Sequence, residues 1–81
     1  MPCRIGMTTD LNARRAYWES VYRNLRDWQI LGGPFSNRAE AQALETKLAQ
    51  QHGCEAHHGG DNPAGLLPQW YVYGFNHDGL K

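Results

Sequence analysis

The residues best suited to chemistry in this sequence are arginines set around a glycine and a helix start, in the stretch Arg4-Ile5-Gly6-Met7-Thr8-Thr9-Asp10-Leu11-Asn12-Ala13-Arg14-Arg15. Ile5 is a β-branched strand residue, and Gly6 allows close backbone approach. Thr8, Thr9 and Asp10 are turn and N-cap residues, with Asp10 capping a helix that opens at Leu11. Arg14 then falls on the first turn or so of that helix, directed back towards the strand end. A strand, a glycine and a helical arginine in this order could cradle a phosphate, because a guanidinium donates two parallel hydrogen bonds to such a group. A second group of chemistry-bearing residues is His52, Cys54, His57 and His58. It has no recognised paired spacing for zinc, and the ordinary reading is a polar loop that touches a ligand at most.

The elements that must position these residues follow from periodicity. Residues 1–7 read as a short strand, and Leu11 to about Leu25 as an amphipathic helix with Leu11, Trp18, Tyr22 and Leu25 on one face. Trp28-Gln29-Ile30-Leu31 reads as a second strand, ended by the turn signal Gly32-Gly33-Pro34. Asn37 and Glu40 have capping-box spacing before a second helix over about 38–51, with Ala41, Leu44 and Leu48 as its buried stripe and His52-Gly53 as its stop. Periodicity alone reads Glu45, beside that stripe, as an exposed glutamate. Residues 53–68 are rich in Gly, His, Asp, Asn and Pro and read as a loop. Trp70-Tyr71-Val72-Tyr73-Gly74-Phe75 has the strongest strand propensity in the chain, with Tyr71, Tyr73 and Phe75 on one face and Trp70 and Val72 on the other.

The first block resembles the second half of the GIY-YIG endonuclease signature. Gly6 and Arg14 stand eight residues apart, and Thr8 and Leu11 occupy matching places. The block from Phe35 through Ser36, Ala39 and Ala41 to Glu45 is similar to the helix entry of the same family, so the likeness covers about residues 4–51. The resemblance implies an α+β domain with a small, mostly antiparallel three-stranded sheet packed against two main helices. It also implies a metal-dependent endonuclease that hydrolyses DNA phosphodiester bonds. On that reading Glu45 holds Mg²⁺ or Mn²⁺, Arg14 stabilises charge on the phosphate, and Tyr71 positions or deprotonates the water. Arg4, Gly6, Thr8 and Arg15 are then the substrate-binding residues.

Two positions depart from the family pattern. Arg4 stands where the family has a tyrosine, and Trp18, four residues after Arg14, stands where members carry His or Tyr. Neither side chain can serve as a general base; Tyr73 or a loop histidine is the available substitute. Arg4 favours phosphate binding without cleavage. The alternative reading is therefore a catalytically inactive GIY-YIG-like domain that binds nucleic acid or a protein partner, and the plainest is a small structural protein. The family's opening strand also has no room before residue 4. A permuted arrangement, with 70–75 in place of that strand and Tyr71 in place of its tyrosine, requires pairing between 70–75 and 3–7. An ordinary C-terminal strand is the alternative.

Length and composition bound these readings. Eighty-one residues suit one domain, and 41% hydrophobic residues with nine aromatics suffice for a core. The formal charge is zero, so bulk electrostatics lend no support to nucleic-acid binding, although Arg4, Arg14, Arg15, Arg23 and Arg26 all fall in the first third. With no signal peptide and no long apolar run, the expectation is a cytoplasmic protein off the membrane, with Cys3 and Cys54 both reduced.

Overall fold

The structure, a computed structural model, describes residues 2–57 and 69–81. Six elements follow in chain order among them: strand β1 (Cys3–Thr8), helix α1 (Leu11–Val21), strand β2 (Arg26–Phe35), helix α2 (Arg38–His52), strand β3 (Glu55–His57) and strand β4 (Trp70–Asn76). The strands form one mixed sheet in the order β2-β4-β1-β3, with β4 antiparallel to both its neighbours and β3 parallel to β1. The α+β class and the two helices agree with the sequence reading. The three-stranded sheet does not, because a fourth strand forms inside the stretch read as a loop. The rest of that stretch, residues 58–68, lies outside the described residues.

Local chemistry explains where the helices begin and end. Asp10 has an extended backbone, and its side chain accepts from the Ala13 N–H at 3.1 Å, which satisfies an otherwise orphaned donor. Asn37 does the same for Ala39 at 2.7 Å, and α2 closes on Gly53 in the left-handed conformation. Helix α1 ends at Val21, four residues before the periodic stripe does. Tyr22 is extended there, and the C-terminal residues capture the following backbone. Arg23 N–H donates to Gly79 O, Asp78 N–H to Arg23 O, and Lys81 N–H to Val21 O. These partners replace the helical ladder that Leu25 would have needed.

Strand β2 also runs longer than its sequence suggests. It passes through Gly32-Gly33-Pro34, which was expected to be a turn, with register shifts on both sides of Gly32. Proline is tolerated there because β2 is an edge strand, where its missing N–H would face away from the ladder.

Strand β3 has weak propensity, and its position is fixed from outside. Cys3 and Cys54 form a disulfide, so the expectation of two reduced thiols fails. The bond ties the start of β1 to the turn after α2, and the parallel pairs Arg4–Glu55, Ile5–Ala56 and Gly6–His57 continue from it. Fifty-one residues separate the cysteines in sequence, so only the crossover back to β1 makes them neighbours.

The strand alternation divides the interior into two clusters on opposite faces of the sheet. Ile5, Met7, Trp70 and Val72 pack beneath Ala41 of α2. Trp18 of α1 and Tyr22 pack on Tyr73 and Phe75 on the other face. Among the described residues no helix is long and apolar enough to cross a membrane.

Candidate functional site

The junction between β1 and α1 is built by short side chains. Thr8 is fully buried, and its Oγ1 accepts from the Asp10 N–H at 3.0 Å while lying 3.2 Å from Asp10 O. The cap on Ala13 then aims the first turn of α1, and Arg14 N–H donates to Asp10 O at 3.1 Å. Arg14 is half-buried, with its guanidinium 5.4 Å from the centre of the Tyr17 ring. The capped helix start read from sequence therefore exists, and it fixes Arg14 just beyond the end of β1.

Strand β1 pairs with β4 along the whole of β1, from Cys3 opposite Asn76 to Thr8 opposite Tyr71. This is the pairing that the permuted arrangement requires. It sets the half-buried Tyr71 beside Thr8 on the face covered by α1, and its hydroxyl lies 3.4 Å from Gln69 Oε1. One register step along, Gly6 faces Tyr73. A Cβ at Gly6 would come within 2.6 Å of Tyr73 Cζ, so only a glycine lets that ring lie across β1. The Tyr73 hydroxyl accepts from Trp18 Nε1 at 2.8 Å, and Trp28 stacks on the ring at 4.7 Å. Trp18 thus holds a buried donor against a tyrosine.

Arg4 serves the inside of the protein. Its guanidinium donates to Tyr22 Oη at 2.9 Å and to Glu55 Oε2 at 2.6 Å, and lies 4.8 Å from the centre of the Trp18 ring. Arg15 is exposed and sits 5.8 Å from the centre of the Trp28 ring. These two arginines are thus spread along the α1 face, one over its core and one at its rim.

Glu45 lies on the other face. Periodicity alone would leave it in solvent, but it has no exposed surface and shares the buried stripe of α2 with Ala41 and Ala49. Leu44 and Leu48, expected at the centre of the stripe, are only partly buried around it. The small Ala41 and Ala49 let the helix approach the sheet closely, and this approach encloses the glutamate between them. Arg14 and Glu45 therefore reach the sheet from helices that flank its opposite faces, while Gly6, Thr8 and Tyr71 belong to the strand pair between them.

Cys54 is consumed by the disulfide, His58 lies outside the described residues, and no group of three or more His, Cys, Asp or Glu that could hold a metal forms among the described residues.

One titrating group stands apart at the far end of β4. His77 is buried, stacks on Tyr22 at 4.0 Å, and accepts at Nδ1 from the Gly79 N–H at 2.9 Å. Burial pushes its imidazole below the ordinary value of 6.5, with Glu55 opposing the shift and Arg4 adding to it. Sequence reasoning passed over His77, and also the Trp18–Tyr73 pair. The alternation of Tyr71, Tyr73 and Phe75 in β4 was visible, but only the register with β1 reveals that Gly6 is the gap Tyr73 occupies. The chain matches no protein-family model, no curated protein and no solved structure.

Proposed function

We propose that this domain is a divergent, metal-dependent nuclease of GIY-YIG-like architecture acting on DNA phosphodiester bonds. The observation that carries the reading is the full burial of Glu45 on α2. A carboxylate in a helix stripe that faces a sheet has to be compensated by hydrogen bonds, a cation or a metal, and it is costly to keep for packing alone. The pairing of β4 with β1 supports the same reading, because it sets Tyr71 beside Thr8 at the strand end that leads to Arg14.

In this proposal Glu45, from the α2 side, would hold Mg²⁺ or Mn²⁺, and the ion would supply positive charge and an activated water. Arg14 neutralises the non-bridging oxygens of the scissile phosphate, where charge grows in the transition state. Tyr71 orients the attacking water. Thr8 and Gly6 shape the backbone against which the phosphate rests, and Arg15 steers the neighbouring strand from the rim.

A second reading is favoured by two contacts. The Arg4 guanidinium is engaged by Tyr22 and Glu55, and Trp18 is engaged by Tyr73. Two positions that differ from the family pattern thus serve the core. On this reading the domain binds nucleic acid or a protein partner and does not cut.

Nicking of supercoiled plasmid with Mg²⁺ or Mn²⁺ separates the two. The nuclease reading expects cleavage by the native chain and its loss in Glu45→Gln and Arg14→Ala at unchanged helix content. No cleavage by the native chain with either metal sinks that reading. Retained DNA binding would then support the second.

A further inference from the structure

Residues 77–81 are tied to the link between α1 and β2 mainly by hydrogen bonds. Arg23 N–H donates to Gly79 O at 2.8 Å, Asp78 N–H to Arg23 O at 2.9 Å, and Lys81 N–H to Val21 O at 2.9 Å. The Asp78 carboxylate accepts from Asn24 Nδ2 at 2.8 Å and from Arg26 Nη1 at 2.9 Å. Leu80 bridges to Tyr22 through its backbone, but its side chain is exposed. Within this strap only the His77 ring is buried. A segment with a single buried side chain opens at lower cost than the core, so the state of His77 governs whether it stays closed.

The closed strap accommodates only one form of that ring. Nδ1 accepts from the Gly79 N–H at 2.9 Å, so the neutral ring carries its proton on Nε2. Nε2 is buried with no acceptor among the described residues. An imidazolium has two N–H donors and no acceptor. In the closed strap one donor would meet the Gly79 N–H head-on and the other would face no acceptor, both out of water. Burial is the largest influence on the ring and disfavours its charge; Glu55 of β3 and Asp78 favour the imidazolium, while Arg4 of β1 and Arg26 of β2 oppose it. The link itself presents Tyr22, stacked on the ring at 4.0 Å, and Arg23, which donates to Asp78 O at 3.0 Å. Asn24 and Arg26 hold the Asp78 carboxyl below its ordinary value of 3.8, so it stays charged while a histidine takes up its proton.

We propose that residues 77–81 form an acid-released strap, in which a proton on His77 Nδ1 breaks the Gly79 contact and expels the ring from its place on Tyr22. The segment then leaves the α1–β2 link while the sheet and both helices stay folded. Release uncovers the face of Tyr22 on which His77 stacks, beside the hydroxyl that accepts from Arg4. Opening becomes up to tenfold more favourable for each pH unit below about 6.5, until the closed-state value is passed, because only the open segment takes the proton with ordinary affinity.

The test is an NMR titration of the ¹⁵N-labelled native chain from about pH 7.5 to about pH 4.5, a range that brackets histidine and leaves a paired aspartate charged. Imidazole ¹⁵N shifts report the tautomer and the proton of His77, and relaxation reports the order of each amide. The expected result is the Nε2–H tautomer at the alkaline end. The order parameters of residues 78–81 then fall from about 0.85 to below about 0.6 with the midpoint of the His77 titration. The amides of Met7 and Val72, in the core, keep their shifts and order through that step. His77→Asn is the control, because an asparagine side chain can accept from the N–H two residues on and does not titrate. Its strap should stay ordered over the whole range. The proposal is overturned if His77 takes up its proton while residues 78–81 keep their order, or if Nδ1 carries the proton at neutral pH. It is overturned too if Met7 and Val72 lose their shifts in the same step, or if the strap of His77→Asn is released at the native midpoint.

Discussion

The two faces of the sheet are built on different principles. The α1 face is aromatic and hydrogen-bonded: Trp18, Tyr22, Tyr73 and Phe75 stack beneath Arg4, and their polar atoms are matched to one another. The α2 face is mainly aliphatic, with Ile5, Met7 and Val72 beside the single buried ring of Trp70 under the small residues of the helix, one enclosed carboxylate and a disulfide at its corner. Aromatic rings with polar tips need their partners at defined positions, so that face holds one arrangement. Aliphatic packing is more forgiving, and the cross-link supplies at that corner what directionality supplies on the α1 face. The candidate nuclease residues divide between the faces, Arg14 coming from the α1 side and Glu45 from the α2 side.

Variants that damage one face and spare the other would break or sharpen this comparison. The largest effect is expected from Trp18→Ala, which removes a buried ring from the centre of the aromatic cluster and should cost about 3–5 kcal/mol in denaturant unfolding. If the loss is under about 1 kcal/mol, the α1 face is not a packed core. Next is the disulfide. Cys3→Ser should cost about 2–4 kcal/mol, and hydrogen exchange should rise first in β3 and the end of α2, with Tyr73 and Phe75 still protected. Equal loosening of both faces would show that they fold as a single unit.

A smaller effect is expected from Tyr73→Phe. It keeps the stack and removes the hydroxyl that accepts from the Trp18 indole N–H, at about 1–3 kcal/mol. A neutral outcome would mean that shape, not hydrogen bonding, specifies that face. The smallest effect is the pH dependence of His77. Its folded-state imidazole titrates below the ordinary value of 6.5, so the fold favours the neutral ring. The associated stability is complete above about pH 6.5 and is lost as pH falls from there towards the folded value, because the unfolded chain takes up the proton first. Protonation at Nδ1 would also set a proton against the Gly79 N–H. His77→Phe should flatten the stability profile over that range, and an unchanged slope would assign the dependence to another group.

Much of the site's frame was readable before any tertiary contact was known, and the particular residues show why. Asp10, Asn37 and Gly53 are capping signals that act within four residues, and all three operate as read. The alternation in β4 is equally local, and its two faces were assigned correctly. For residues 70–75 the sequence left two readings open, pairing with residues 3–7 or an ordinary C-terminal strand, and the observed register has the pairing. Glu45 shows the limit. Its place beside an apolar stripe is compatible with either burial or exposure, and the closeness of α2 to the sheet decides between them.

What the sequence determined by itself was therefore five of the six elements, their caps and the faces of the best strand, because those follow from backbone dihedrals and side-chain periods within a few residues. The tertiary structure alone decided that residues 55–57 make a strand, that Cys3 meets Cys54, that Arg4 turns inward to Tyr22 and Glu55, and that Glu45 is enclosed. Each of these depends on groups brought together from distant parts of the chain or on the separation between packed layers, and no local pattern encodes such distances.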